Sequence, residues 1–159
     1  MGDVMKGHCA CGAVHYEMRA APLIVHCCHC RWCQREGGSA FALNAFIEAK
    51  HVQVTAGKVE AVDIPSESGA GQRVHRCADC KVALWANYLG LGTDFSFVKV
   101  GTLDEPDKCP PDVHIFTESK QPWVVLDKRL PVYEKYYRRS EAWSEASMKR
   151  FHAVMDQRA

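Results

Sequence analysis

The chain has 159 residues, of which 47% are hydrophobic and 25% are charged, a composition typical of one globular domain. Its formal net charge is only +1, so composition gives no reason to expect binding to nucleic acid or to a membrane surface. No apolar run approaches the roughly 20 residues of a membrane-spanning helix, and no apolar leader follows Met1, so we expect a cytoplasmic protein.

Short apolar segments separated by glycine, proline and small polar residues make up most of the chain up to about residue 126. Apolar and polar side chains alternate within them, which is typical of β-strands. The predicted strands cover residues 13–18, 23–25, 41–47, 51–55, 59–64, 72–76, 82–87, 95–100 and 113–116. We expect loops at 36–39 and 66–71 and a turn at Gly57. The sequence therefore predicts a mainly β domain.

The C-terminal stretch has a different pattern. Residues 141–157 contain no glycine or proline, and large apolar side chains recur there at helical spacing. We expect one amphipathic helix from Ser140 to Gln157, with Ser140 as the N-cap and Ser144 as a competing cap. The chain is accordingly divided into a β domain over residues 1–135 and a helical tail over residues 136–159, which packs on the same domain or on a partner.

Nine cysteines provide the main chemical signal. Cytoplasmic thiols are kept reduced, so clustered cysteines there predict metal binding rather than disulfides. Cys109 is isolated, and we interpret it as an unliganded thiol. Seven others form three groups, which are Cys9/Cys11, Cys28/Cys30/Cys33 and Cys77/Cys80.

The two pairs complement each other. Cys9 and Cys11 face one side of an extended segment. The two-residue gap between Cys77 and Cys80 is that of a zinc knuckle. Neither pair completes a tetrahedral site alone, but the two pairs together provide four sulfurs. We therefore predict one closed, structural zinc site made of both pairs.

Cys28, Cys30 and Cys33 form the remaining group. Cys28 and Cys30 point the same way on an extended segment, and a short turn can bring Cys33 to the same point. Three thiolates leave one position of a tetrahedral zinc open, which is typical of reactive sites. Such a centre carries net negative charge and is a weak Lewis acid, so it favours holding a further soft thiolate over activating water. Glutathione, the abundant cytoplasmic thiol, or a related thiol is the expected ligand.

Several assignments stay open at the level of the residues. On a strand Cys27 faces away from Cys28, yet its spacing to Cys30 is that of an ordinary knuckle. Iron, as a single ion or a cluster, is an alternative to zinc at four sulfurs. The histidines beside the clusters could each add a fourth ligand, although a packed or hydrogen-bonding role is expected for each. These histidines are His8, His26, His29 and His75.

Further motifs accompany the cysteines between residues 6 and 123. In chain order, the motifs are Gly7-His8-Cys9-Ala10-Cys11-Gly12, Cys28-His29-Cys30-Arg31-Trp32-Cys33, Gly38, Cys77-Ala78-Asp79-Cys80, Gly101-Thr102-Leu103-Asp104, His114-Ile115 and Ser119-Lys120 with Trp123. With these motifs the sequence resembles the glutathione-dependent formaldehyde-activating enzymes, the family that also includes centromere protein V. One departure is Lys81, where the family usually has glycine, and we expect this bulkier residue to alter the turn at the structural site.

The resemblance implies a β-tent fold of stacked antiparallel sheets around a structural zinc, followed here by a C-terminal helix. It implies that both cysteine pairs hold that zinc, and that Cys28, Cys30 and Cys33 hold a second, catalytic zinc. We expect the second zinc to bind more weakly, because it has one protein ligand fewer. The implied reaction is that of an S-(hydroxymethyl)glutathione synthase, a carbon–sulfur lyase, in which glutathione adds to formaldehyde or another small electrophile.

Two other functions compete with the enzyme. One is a zinc-stabilised interaction module without catalysis, in which the helix binds a partner, and the other is a redox-sensing iron–sulfur protein. For the enzyme, cations could bind the carboxylates of glutathione. Arg31 and Arg35 lie near the three-cysteine group in sequence, and Lys120 lies in a family motif. The alternative for each of the three is that it is an ordinary surface cation. Trp32 could shield the site from water or belong to the core.

Overall fold

The structure is a computed structural model that describes residues 2–158. Its strands are β1 Met5–His8, β2 His15–Met18, β3 Ile24–Cys28, β4 Ala42–Glu48, β5 Val52–Ala56, β6 Val59–Ile64, β7 Gln72–Cys77, β8 Ala83–Tyr88, β9 Phe95–Lys99 and β10 Val113–Ile115. Its α-helices are α1 Arg31–Gly37, α2 Arg139–Ala142 and α3 Glu145–Asp156. The predicted mainly β fold with a C-terminal helix is confirmed. Every predicted strand overlaps an observed strand, while β1 and α1 were not predicted.

The strands form two sheets. One has three strands in the order β1-β2-β5, and the other has seven in the order β10-β3-β4-β9-β8-β7-β6. The pairing is antiparallel except between β10 and β3, which run parallel. The expected antiparallel pairing thus holds for the other strand pairs, and β10 is the exception, at one edge of the large sheet. A long connection separates β3 from β10, so no hairpin constrains the direction in which β10 joins the sheet.

The larger sheet has an apolar core on each face, because side chains alternate along its central strands. On β4, Ala45 and Ile47 belong to a core shared with the small sheet, whereas Phe46 between them belongs to the opposite core. The first core also contains Cys9 and Cys77. The second contains all three cysteines of the predicted open site, together with aromatic residues of the C-terminal region. Each predicted metal centre is thus built into a different core.

The C-terminal region does not form the single helix predicted from Ser140 to Gln157. The helical conformation stops at Trp143, whose backbone is extended at φ −92° and ψ 146°. Ser144 is the N-cap of α3, since its side-chain oxygen accepts a hydrogen bond from the Ser147 N–H. Ser140 lies inside α2 and is not a cap. The competing cap at Ser144 therefore determines where the long helix begins.

The C-terminal region packs directly on the larger sheet. The Ser147 hydroxyl donates to the carbonyl oxygen of Leu23 at 2.7 Å. The Arg150 guanidinium donates to both oxygens of the buried Glu48 carboxylate, at 2.9 and 2.5 Å. Phe151 is only 5% exposed. The apolar side of α3 is therefore used within the molecule.

The division at residue 135 stays a prediction, and its outer ends, residues 1 and 159, lie outside the described residues. None of the helices within residues 2–158 is long and apolar enough to cross a membrane.

Candidate metal centres and the adjoining cavity

The two predicted cysteine pairs meet in the structure. Cys9 and Cys11 lie in the turn after β1, while Cys77 ends β7 and Cys80 lies in the turn that follows. All four sulfurs lie within 4.8 Å of one another. The Sγ–Sγ distance is 3.5 Å from Cys9 to Cys11 and 3.8 Å from Cys11 to Cys77. Four sulfurs around a tetrahedral zinc with bonds of about 2.3 Å would be about 3.8 Å apart, so this set fits the ion.

Backbone N–H groups support thiolates in this four-cysteine cluster. The N–H of Val14 donates to Cys9 Sγ at 3.3 Å, and the N–H of Asp79 donates to Cys77 Sγ at 3.4 Å. A backbone hydrogen bond from Val82 lowers the pKa of Cys80 to about 6. Donors of this kind stabilise the charged sulfur and orient it, as the groups around a metal's direct ligands do.

Lys81 adopts the conformation that a glycine would adopt at this turn. Its φ is +66°, in the left-handed region, and its N–H donates to the carbonyl oxygen of Cys77 at 3.0 Å. The Lys81 ammonium extends to Glu60, at 2.8 Å. A left-handed residue other than glycine costs roughly 1–2 kcal/mol, so the lysine strains this turn.

The three-cysteine cluster is assembled by the junction of β3 and α1. Cys28 is the last residue of β3, Cys30 is the N-cap of α1, and Cys33 lies in the first turn of the helix. The turn predicted to bring Cys33 round is thus a helix. Cys30 Sγ caps this helix by accepting a hydrogen bond from the Cys33 N–H at 3.3 Å. The three sulfurs lie within 4.8 Å of one another, and each residue is 4% exposed.

Cys30 is the sulfur of this cluster most disposed to be a thiolate. Hydrogen bonds from Cys28 and Cys33 lower its pKa to about 3, against the opposing effect of burial. A thiolate is the form that binds zinc. Three convergent, buried sulfurs are a donor set that suits a soft or borderline ion and leave one tetrahedral position without a protein ligand.

A cavity of about 350 Å³ opens next to the three-cysteine cluster. All three cysteines line it, and its other walls are mainly aromatic and aliphatic, with a few polar groups such as Asn44 and Gln72. The hydroxyl of Tyr88 lies 4.0 Å from Cys33 Sγ. A largely apolar cavity of a few hundred Å³ with a small number of convergent polar groups is typical of a site for a small molecule.

Arg139 is the only lysine or arginine that lines this cavity among residues 2–158. Its guanidinium lies 4.4 Å from the ring centre of Phe151. Its Nε is buried and has no hydrogen-bond partner within the described part of the chain. The guanidinium thus has donor capacity left for an anionic group in the cavity. Arg139 could not be identified from the sequence, because it is far along the chain from the three cysteines and lies in the segment predicted to be a tail.

The predicted helper cations lie elsewhere. Arg31 and Arg35 line a different cavity, together with Gln121 and Trp123. The Lys120 ammonium donates to the carbonyl oxygen of Val124. Trp32 does line the three-cysteine cavity and is 39% exposed, so it lies at the cavity's edge and not in the core.

Three of the four flanking histidines have hydrogen-bond partners away from the cysteines. His8 pairs with Asp104 at 2.6 Å, His75 with Asn87 at 2.6 Å, and His26 with the hydroxyl of Tyr137. His29 instead lies beside Cys27. Cys109 is buried and belongs to none of the described clusters.

The fold and these clusters define a mainly β protein with two candidate cysteine metal centres. The family model described as "Glutathione-dependent formaldehyde-activating enzyme" matches residues 4–119, a span that contains both centres. The chain belongs to this family, and the resemblance carried by its motifs is confirmed.

The other comparisons add less. Four chains of solved structures match. One is a crystal structure of a Rhodobacter sphaeroides protein, with 21% sequence identity and a TM-score of 0.49 over 67% of this chain and 97% of that chain. The search of curated proteins found no match.

Proposed function

We propose that this protein is a zinc-dependent enzyme that adds glutathione, or a related thiol, to formaldehyde or another small electrophile. The observation that carries the proposal is the position of Cys28, Cys30 and Cys33 at the wall of a ligand-sized cavity. Membership in the formaldehyde-activating family supports the same chemistry. The product would be an S-hydroxymethyl thioether, and the reverse reaction is that of a carbon–sulfur lyase.

Each cysteine cluster has a separate role in this proposal. Cys9, Cys11, Cys77 and Cys80 would hold a structural zinc that fastens the N-terminal turn to the end of β7. Cys28, Cys30 and Cys33 would hold the catalytic zinc. When bound there, zinc supplies one open position at which a thiol is held as its thiolate.

The cavity residues bind and orient the reactants. Arg139 would pair with one of the two carboxylates of glutathione and fix how the tripeptide lies in the cavity. The apolar walls exclude water, which strengthens that ion pair and keeps the electrophile close to the sulfur. Trp32, at the edge, would cover the bound thiol from solvent.

Tyr88 is placed to assist the addition. The sulfur forms a bond to the carbonyl carbon, the electron pair of the C=O π bond moves to oxygen, and the proton lost by the thiol ends on that oxygen. The Tyr88 hydroxyl, which faces the same cluster, would donate a hydrogen bond to the oxygen as negative charge develops. No net proton is released, and no oxidant or reductant is needed.

The test uses a pair of arginine variants and glutathione-dependent consumption of formaldehyde. Arg139→Gln should raise the KM for glutathione by about 10- to 150-fold, the equivalent of a charge-assisted hydrogen bond of about 1.5–3 kcal/mol. Arg35→Gln, which lines the other cavity, should leave the KM unchanged. Equal effects of the two variants would contradict the placement of glutathione in this cavity. An inactive, zinc-loaded wild type would contradict the reaction itself.

The interaction-module alternative is less well supported. It needs a C-terminal helix with an apolar face free for a partner, whereas Phe151 is buried and both Ser147 and Arg150 bind groups of the sheet domain.

A further inference from the structure

A third cluster of ligand-type side chains lies on the opposite face of β3 from the three-cysteine cluster. Because residues alternate along this segment, Cys28 and Cys30 point to one face, whereas Cys27 and His29 point to the other. The parallel strand β10 adds His114, whose Cα is paired in register with that of Cys27. Neither the four-cysteine cluster nor the three-cysteine cluster uses any of these three residues.

The ligand atoms of Cys27, His29 and His114 converge on one point. His29 Nε2 lies 3.5 Å from Cys27 Sγ and 3.0 Å from His114 Nδ1. All three atoms lie within 4.8 Å of one another. Around a tetrahedral zinc with Zn–S of about 2.3 Å and Zn–N of about 2.0–2.1 Å, these separations would be about 3.6 and 3.4 Å. The two measured separations differ from these values by about 0.1 and 0.4 Å, and the third pair, Cys27 Sγ and His114 Nδ1, lies within 4.8 Å.

Hydrogen bonding alone leaves this cluster poorly satisfied. His29 Nε2 faces both the thiol and the other imidazole, and it cannot donate a proton to one while accepting a proton from the other. The outer nitrogens, His29 Nδ1 and His114 Nε2, are buried and have no partner within residues 2–158. His29 is fully buried, Cys27 is 2% exposed and His114 is 7% exposed. Each unpaired buried polar atom costs about 1–3 kcal/mol, and an ion bound to the inner atoms would leave the two outer nitrogens unpaired. The inner atoms are the ones that an ion would serve, since His29 Nε2 faces two partners at once.

We propose that Cys27, His29 and His114 form a third metal site, which takes zinc or another divalent cation of similar softness. The ion would bind all three convergent atoms at once, whereas with protons alone His29 Nε2 has to share one hydrogen or one lone pair between Cys27 Sγ and His114 Nδ1. One thiolate and two imidazoles suit zinc and cobalt and do not suit magnesium or calcium, which require oxygen ligands. One coordination position is left for a ligand that the three side chains do not supply.

A metal ion at this site would cross-link two strands of the large sheet. It joins His114 on β10, at the edge of the large sheet, to Cys27 on β3 and to His29, which follows β3. The ladder between β10 and β3 has only three residue pairs, so a metal bond to His114 would add a further link between these strands. The inference is independent of the proposed reaction, because it requires no catalytic activity.

The test measures zinc per folded chain after saturation with zinc and removal of the excess. Cys27→Ser and His114→Ala should each bind one equivalent fewer than Cys109→Ser, the matched control in which a buried cysteine outside the clusters is changed. A variant in which all three cysteines of the three-cysteine cluster are changed to serine should still bind the zinc held by Cys27, His29 and His114. If Cys27→Ser and Cys109→Ser bound the same amount of zinc per folded chain, the proposal would be overturned. His29 and His114 would then be a hydrogen-bonded pair without a metal.

A measurement on the unmodified protein covers the case in which the variants do not fold. Nitrogen-15 NMR of the eight histidine side chains distinguishes metal-bound from proton-bound ring nitrogens. In the zinc-loaded chain we expect two histidines with a metal-bound nitrogen, one through Nε2 and one through Nδ1. Spectra in which zinc shifts no histidine nitrogen would also overturn the proposal.

Discussion

Removing the hydroxyl of Tyr137 should destabilise the whole molecule, although this residue lies in the segment predicted to be a tail. The hydroxyl accepts a hydrogen bond from Trp143 Nε1 at 2.7 Å and is also hydrogen-bonded to His26 Nε2. All three residues are buried, at 7% exposure or less. In Tyr137→Phe, the ring remains and both partners lose their hydrogen bond. Each newly unpaired group costs about 1–3 kcal/mol, so we expect a loss of about 2–6 kcal/mol.

Urea unfolding followed by tryptophan fluorescence measures this loss. Tyr133→Phe is the matched control, because Tyr133 is a partly buried neighbour, with its ring centre 5.4 Å from that of Tyr137, and its hydroxyl has no hydrogen bond among the described residues. We expect the control to unfold within about 0.5 kcal/mol of wild type. If both variants had the same stability, the reasoning that the C-terminal region is bonded into the core would be refuted.

Two further predictions concern the frame around the sites. Burial opposes ionisation of Glu48, but the hydrogen bonds and charge of Arg150, a backbone hydrogen bond and the charge of His51 together outweigh burial and lower the pKa of Glu48. As the pH falls, the Glu48 carboxylate is therefore protonated in the unfolded chain before it is protonated in the folded one. Stability should fall as the pH drops from about 4.3 through the lowered pKa. When denaturation is compared at pH 7, 4 and 3, Glu48→Gln should lack this contribution to the pH dependence. Gly57 has φ +82°, and an added Cβ would lie 2.2 Å from the carbonyl oxygen of Ala13. In urea unfolding, the free energy of unfolding of Gly57→Ala should be lower than that of wild type by at least about 2 kcal/mol. The control is Gly37→Ala, whose Cβ would meet nothing within 4 Å and which should not show this loss. Equal stabilities of the two variants would contradict this packing.

Local patterns in the sequence predicted much of the fold. Alternation predicted the strands of both sheets except β1, and residue spacing grouped the seven cysteines as the structure groups them. Helix α1 was missed because it is short, begins at a cysteine cap and ends at Gly37, so it carries no periodic apolar signal. The break at Trp143 was missed because helical periodicity continues across it, and periodicity carries no sign that the indole N–H donates to the Tyr137 hydroxyl, six residues earlier.

Features that depend on long-range pairing were beyond the sequence. Alternation correctly indicated that Cys27 faces away from Cys28, but the residue that completes its surroundings, His114, is brought in by the parallel pairing of β10. Arg139 likewise reaches the cavity only because the C-terminal region folds back over the large sheet. Neither contact has a signal in spacing or composition. The roles of the cysteine ligands and of the catalytic triple stay predictions.

Calorimetry of glutathione binding tests the central claim most directly. Glutathione is titrated into the zinc-loaded wild type, into Cys30→Ser, and into Cys109→Ser, a control that changes a cysteine outside the clusters. The account predicts that wild type and Cys109→Ser bind glutathione with the same affinity, and that Cys30→Ser loses binding while it retains the four-cysteine zinc and the fold. Equal binding by wild type and Cys30→Ser, or no binding by wild type, would contradict the claim that Cys28, Cys30 and Cys33 form a thiol-holding zinc site.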